Sequence, residues 1–150
     1  MNRLQGGVVV DASVGVKFVV PEGGHETARV VLDQSLRGGL AAAFPEFAAL
    51  EVANALWLKA RRRELTSGVA RASLAMFLRV TLRFIRVPEQ LLVVDALEIA
   101  LDHGLTAYDG CYLALARRMG LPLLSADVKL ATPGVRRKFD VILLSELGDE

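Results

Sequence analysis

The stretch Thr106-Ala107-Tyr108-Asp109-Gly110-Cys111-Tyr112-Leu113-Ala114-Leu115-Ala116 runs on to Gly120 and then to Leu121-Pro122-Leu123-Leu124-Ser125-Ala126-Asp127, and it decides the architecture. Thr106 suits a helix cap, an acid stands at the third helical position, and Gly120 suits the left-handed residue that closes a helix. The residues between are mostly apolar, so this helix is expected to be largely buried. Leu121 to Leu124 then reads as a buried strand, with Pro122 pointing to an edge or a first-residue position. One helix–strand unit therefore carries Asp109 at the head of its helix and Asp127 just past its strand. Taken alone, Asp109 is a capping acid that complements the helix dipole. Two further acids at comparable places, Asp11 and Glu51, raise the question of whether four carboxylates meet.

The rest of the chain repeats the alternation. Val8-Val9-Val10 is a short buried strand with Asp11 at its carboxyl end, and Ser13 is placed to cap a helix from Val14 to Val20 that Pro21 and Gly23-Gly24 end. A helix follows from His25 to Arg37, then a weak strand from Leu40 to Phe44. Pro45 is expected to open a helix to Ala60 as a first-turn proline. That helix shows two apolar faces: Ala49, Val52, Ala53 and Leu56 on one, Phe47, Leu50, Trp57 and Leu58 on the other. Glu51 and Asn54 lie inside the second. A helix apolar all round is expected to be buried, where an ionised carboxylate is costly unless paired, protonated or bound to a metal. The alternative is that Glu51 and Asn54 form a narrow wet stripe.

Ser67 is expected to cap a helix reaching Val80, Thr81 to Val87 to form a strand with one wetter face, and Pro88 to open a helix ending at His103 and Gly104. Val128 to Ala131 makes a turn of helix, Asp140 to Leu144 the last strand, and the final six residues a frayed tail. Strands alternating with helices predict an α/β fold: a mostly parallel sheet of about five strands covered on both sides, in one domain over residues 1–150. In such folds ligands gather beyond the carboxyl ends of the strands, where the strand order reverses. Asp11 and Asp127 stand at carboxyl ends, and Glu51 and Asp109 one turn into helices.

Composition narrows the chemistry. A net charge of +1 argues against non-specific nucleic-acid binding through overall charge, although local basic runs remain. No apolar run approaches the ~20 residues that span a bilayer, and Val8-Val9-Val10 is too short for a signal-peptide core. One cysteine cannot build an internal disulfide framework and fits a reducing cytoplasm; with two histidines it cannot build a usual zinc site. There is no glycine-rich dinucleotide loop after Asp11, no phosphate loop and no Gly-x-Ser-x-Gly elbow. A phosphoaspartate phosphatase would need Asp where Ser13 stands, and a receiver domain would need an acid beside Asp11.

Carboxylates crowded together repel each other, and a hard cation removes that penalty. An oxygen-only set points to Mg²⁺ or Mn²⁺, with Ser13 and Ser125 adding neutral oxygens beside Asp11 and Asp127. Such ions support in-line attack of water on a phosphodiester, with no organic cofactor and no protein nucleophile.

Val9-Val10-Asp11-Ala12-Ser13-Val14 resembles the opening of PIN-domain proteins, especially the VapC-type toxins. Pro45 to Trp57, with Glu51 and Asn54, is similar to their second motif. Leu105-Thr106-Ala107-Tyr108-Asp109 through Ala116 is similar to the third, and Leu124-Ser125-Ala126-Asp127 with Leu130 to the fourth. The likeness spans about residues 8 to 144 with the family's order and spacing. It implies an α/β/α domain and a Mg²⁺- or Mn²⁺-dependent endoribonuclease, with Asp11, Glu51, Asp109 and Asp127 as the catalytic and metal-binding acids and Ser13 and Ser125 in support. Asp11 and Asp109 become the firmer ligands, while Glu51 and Asp127 act through water. Ser125 in place of the family's frequent Thr, and Gly110 in place of a larger small residue, are mild departures. The resemblance also implies a homodimer and a VapB-like antitoxin whose tail enters the acidic groove.

Two other readings are a PIN-type nuclease of RNA processing or DNA flaps with no toxin role, and a non-catalytic binding module whose acids are caps and surface charges. For either nuclease, phosphate affinity is expected from Lys17, Lys59, Arg61 and Lys129, the basic residues nearest the acids in sequence.

Overall fold

The computed structural model of the chain describes residues 2–4 and 6–148. Its strands β1 (Gly7–Val10), β2 (Ala41–Pro45), β3 (Ile85–Val87), β4 (Leu123–Ser125) and β5 (Val141–Leu143) form one all-parallel sheet in the order β3-β2-β1-β4-β5. The α-helices are α1 (Ala12–Gly15), α2 (His25–Leu36), α3 (Ala48–Arg61), α4 (Ser67–Val80), α5 (Val93–His103), α6 (Ala107–Met119) and α7 (Pro133–Arg136). The chain steps outward from β1 to β2 and β3, then returns to the far side of β1 for β4 and β5. The order reverses between β1 and β4, which is where such sheets open a crevice.

Parallel strands are joined by right-handed crossovers. The outward steps therefore put α2, α3 and α4 on one face and the return puts α5 and α6 on the other, giving the expected three layers. Phe44 of β2 stacks on Phe77 of α4 with ring centroids 6.1 Å apart. On the other face every residue of α6 from Gly110 to Ala116 is buried. Gly110 is where α5 and α6 come closest, since a Cβ there would stand 2.2 Å from the carbonyl oxygen of Ala96. All of β1 is buried because it is the central strand, flanked by β2 and β4. Among the described residues no helix is long and apolar enough to cross a membrane.

Several boundaries differ from the sequence expectation, each for a local reason. Pro45 ends β2 and does not open a helix; the ladder passes to the next residue, whose N–H donates to the Val87 carbonyl at 3.0 Å. Ser13 lies inside α1 and does not cap; Asp11 holds the N-cap position, and the helix becomes a 3₁₀ turn at Val16–Phe18. The cap of α4 is Thr66, whose Oγ1 accepts the Val69 N–H at 3.1 Å. The strand expected from Thr81 shrinks to three residues, because Thr81 Oγ1 donates to the Phe77 carbonyl at 2.8 Å and holds Thr81 to the end of α4. Pro122 stands just before an interior strand, and its carbonyl accepts the Val9 N–H at 2.9 Å. A 3₁₀ turn at Glu89–Leu91 separates Pro88 from α5. The expected frayed tail is a 3₁₀ helix over Leu144–Leu147 with both end leucines buried; Asp149 and Glu150, also expected in it, lie outside the described residues. The second apolar face of α3 is not buried: Leu50 is 73% and Trp57 53% exposed.

Candidate active site

Asp11 is fixed by the reversal point of the sheet. Its N–H donates to the Leu124 carbonyl at 3.0 Å, so β4 continues the ladder one residue beyond β1. The side chain is 6% exposed. Ser13 donates to Asp11 Oδ2 at 2.7 Å and Ser125 donates to the same oxygen at 2.6 Å. The two serine oxygens stand 3.3 Å apart, but each hydroxyl has one proton and spends it on Asp11. Each serine accepts in turn from the backbone, Ser13 from the Ala126 N–H at 2.9 Å and Ser125 from the Asp127 N–H at 3.0 Å. The β4 turn is thereby stitched to the β1 turn through Asp11, in hydrogen bonds that polarise one another.

The other acids arrive from helix starts and a strand end. Asp109 lies in the first turn of α6, where its N–H donates to Thr106 Oγ1 at 3.1 Å. Glu51 lies in the first turn of α3. Both face the positive ends of their helix dipoles. Asp127 follows β4, and its Oδ1 accepts the Lys129 N–H at 2.9 Å. Asp11, Glu51, Asp109 and Asp127 line one pocket of about 540 Å³ at the carboxyl edge of the sheet, with Ser13 at its wall. Ser125 is fully buried behind Asp11.

The pocket resists negative charge. Burial raises the Asp11 carboxyl, the serine bonds partly offset it, and the nearby Asp109 adds repulsion. Burial and the neighbouring Asp127 raise Asp109, against the opposing Thr106 bonds. Glu51 is pushed up to about 7, chiefly by burial, with Asp11 and Asp109 contributing. Its Oε1 is buried with no aligned partner, and so is the hydroxyl of Tyr112 beside it. Among the described residues no three acidic, histidine or cysteine side chains are drawn close enough to enclose an ion. The donors are all oxygens and ring an open pocket, which suits a hard cation that keeps part of its water shell better than a closed zinc-type cage.

Of the basic residues, Lys17 and Lys59 line this pocket. Arg61 instead lies over the Trp57 ring at 5.2 Å, and Lys129 is exposed and does not line the pocket. Two residues not foreseen complete the site. Glu22, in the turn after Pro21, lies on the pocket wall and binds both Lys17 and Lys59. No sequence signal marks the pairing with Lys59, because 37 residues separate them. Tyr112 was readable: it is three residues after Asp109, on the same helix face.

Residues 8–134 match the PIN domain family. The chain is 37% identical over 125 residues to ribonuclease VapC3 of Pyrobaculum aerophilum, covering 83% of this chain and 92% of that one. Among solved structures it is similar to PAE2754 of Pyrobaculum aerophilum, at TM-score 0.65 and 26% identity over 97% of this chain and 98% of that one. It also shares its fold with VapBC2 of Rickettsia felis, solved bound to a DNA fragment from its promoter, at TM-score 0.60 and 11% identity over 91% and 98% of the two chains.

Proposed function

The chain belongs to the PIN-domain family, and we propose that it is a metal-dependent endoribonuclease hydrolysing RNA phosphodiesters, the toxin of a VapBC-type pair. The observation that carries this reading is that four carboxylates from four separate stretches line one pocket where the strand order reverses. Relatives supply the substrate class, since the matched VapC3 is named a ribonuclease.

A divalent ion would relieve the repulsion among these carboxylates, and Mg²⁺ or Mn²⁺ fits the oxygen-only donors. Asp11 and Asp109 would hold it most directly, Glu51 and Asp127 through water. When bound, the ion supplies Lewis-acid stabilisation of the phosphoryl oxygens and acidifies a water. The chain's own residues do the rest. Ser13 and Ser125 fix Asp11 in one orientation, so the ligand does not have to be ordered at binding. Glu51, at the first turn of α3 and on the pocket wall beside Asp11 and Asp109, is placed to accept a proton from an attacking water. Thr106 caps α6 and sets where Asp109 stands.

The partners follow from the same reading: RNA as substrate, a VapB-like antitoxin as inhibitor, and a second copy of the chain, acting in the cytoplasm. Exposed apolar side chains on two helices support two protein contacts: Leu50 and Trp57 on α3, and Val94, Leu97 and Leu101 on α5. The test is cleavage of RNA with Mn²⁺ and with chelator, for the native chain and for Asp11→Asn and Asp109→Asn. Cleavage is expected only with metal and only in the native chain, with the circular dichroism of all three alike. Metal-dependent cleavage that survives both substitutions refutes the assignment.

A further inference from the structure

The acidic pocket has a basic corner. Lys17 Nζ donates to Glu22 Oε1 at 2.9 Å and to the Gly23 carbonyl at 2.8 Å. Lys59 Nζ donates to the other oxygen, Glu22 Oε2, and lies 3.5 Å from Glu64 Oε2. The three side chains of this clasp are only 16%, 24% and 21% exposed for Lys17, Glu22 and Lys59. All three line the pocket that holds the four acids. Burial alone would raise Glu22, yet the bonds from Lys59 and Lys17 hold it below the ordinary carboxylate range, so Glu22 stays ionised.

Two ammoniums bound to the two oxygens of one carboxylate stand side by side and exceed the charge of Glu22; Glu64 brings the formal sum to zero, but it is 47% exposed and 3.5 Å from Lys59, so its charge is screened by water. Each ammonium has three protons, of which Lys17 spends two and Lys59 two. One N–H on each is left to point elsewhere. A phosphodiester presents two non-bridging oxygens with a spread similar to that of a carboxylate. We infer that Lys17 and Lys59, held together by Glu22, form a phosphate-binding notch that takes a backbone phosphate of the RNA strand next to the one that is cut. Lysine is a flexible point charge on a four-carbon stem, so fixing two of them costs rotamer entropy. Glu22 meets that cost in the free protein. It is a positioning residue although its own charge repels phosphate.

That opposition of sign supplies the test, and the inference rests on the nuclease reading above. A short single-stranded oligoribonucleotide is titrated by fluorescence anisotropy in chelator, where cleavage is off, over a range of salt. Replacing both lysines in E22Q/K17M/K59M, which removes the Glu22 charge together with its partners and leaves only the half-exposed Glu64 without Lys59, is expected to weaken binding about tenfold and flatten the salt slope by about 0.7, the share of one neutralised phosphate. E22Q alone removes a negative charge, so simple Coulomb attraction makes it bind tighter; the notch makes it bind several-fold weaker. Native affinity in the triple variant, or tighter binding by E22Q, overturns the notch. If the native chain still cleaves RNA with Mn²⁺ in that case, the notch alone has failed. If the native chain neither binds nor cleaves RNA, both readings fail together.

Discussion

Glu51→Gln should make the metal-free protein more stable while abolishing its activity. Glu51 ionises in the folded state only near 7, against 4.5 when unhindered. Between those values the folded chain holds a proton that the unfolded chain has released, so stability falls as pH rises through the window and stays low above it. The rise corresponds to roughly 3 kcal/mol. Because the side chain is only partly buried, solvent screening brings this to about 1–2 kcal/mol. Glutamine keeps the shape and cannot ionise. In urea denaturation with chelator, the variant should therefore exceed the native chain by about 1–2 kcal/mol at pH 8 and by less than half of that at pH 5. Adding Mn²⁺ should reverse the order, because a ligand that binds only the folded state stabilises in proportion to its affinity, and the variant has lost a ligand. A Glu51→Gln protein that is less stable than the native chain at pH 8 in chelator, or more stable by a pH-independent amount, would refute the argument that burial, with the neighbouring Asp11 and Asp109, penalises the ionised Glu51.

Other expectations follow from single contacts. Ser125→Ala leaves Asp11 with one serine and the Asp127 N–H with no acceptor; it should cost about 1–3 kcal/mol in thermal denaturation and weaken Mn²⁺ binding by about tenfold in calorimetry. Tyr112→Phe removes a buried hydroxyl beside Glu51 that works against the effect of burial; it should raise Glu51 further and weaken Mn²⁺ about tenfold at pH 7, with the circular dichroism unchanged. Gly110→Ala drives a methyl into the Ala96 carbonyl; separating α5 from α6 should cost about 1–3 kcal/mol, read as a lower urea midpoint.

The fold was most legible where one physical demand dominated. Val8 to Val10 are apolar on both sides because a central parallel strand has two covered faces, and that made β1 plain. The helix at Thr106 could be bounded nearly to the residue, since its threonine cap and left-handed Gly120 are both local signals. Alternation of elements then implied the parallel sheet, and the acids at strand ends implied one pocket. What failed depended on context. Pro45 serves as readily at the end of a strand as at the start of a helix, and only its pairing with Val87 decides between them. The outer face of α3 reads as core by composition, yet Leu50 stays exposed and Trp57 is half-exposed with the Arg61 guanidinium over its ring; apolar character says that a surface can be covered, not by what. Glu22 was invisible because its role arises from two lysines, one of them far along the chain, and a charge in a turn looks like any solvated residue.

The most direct measurement is anomalous diffraction from crystals soaked in Mn²⁺. The account predicts one peak, or two close together, in the pocket between Asp11 and Asp109, with Glu51 and Asp127 facing it, and no such peak in crystals of the Asp11→Asn, Asp109→Asn double variant. A pocket that stays empty at millimolar Mn²⁺, or manganese bound only at some other surface, would contradict it.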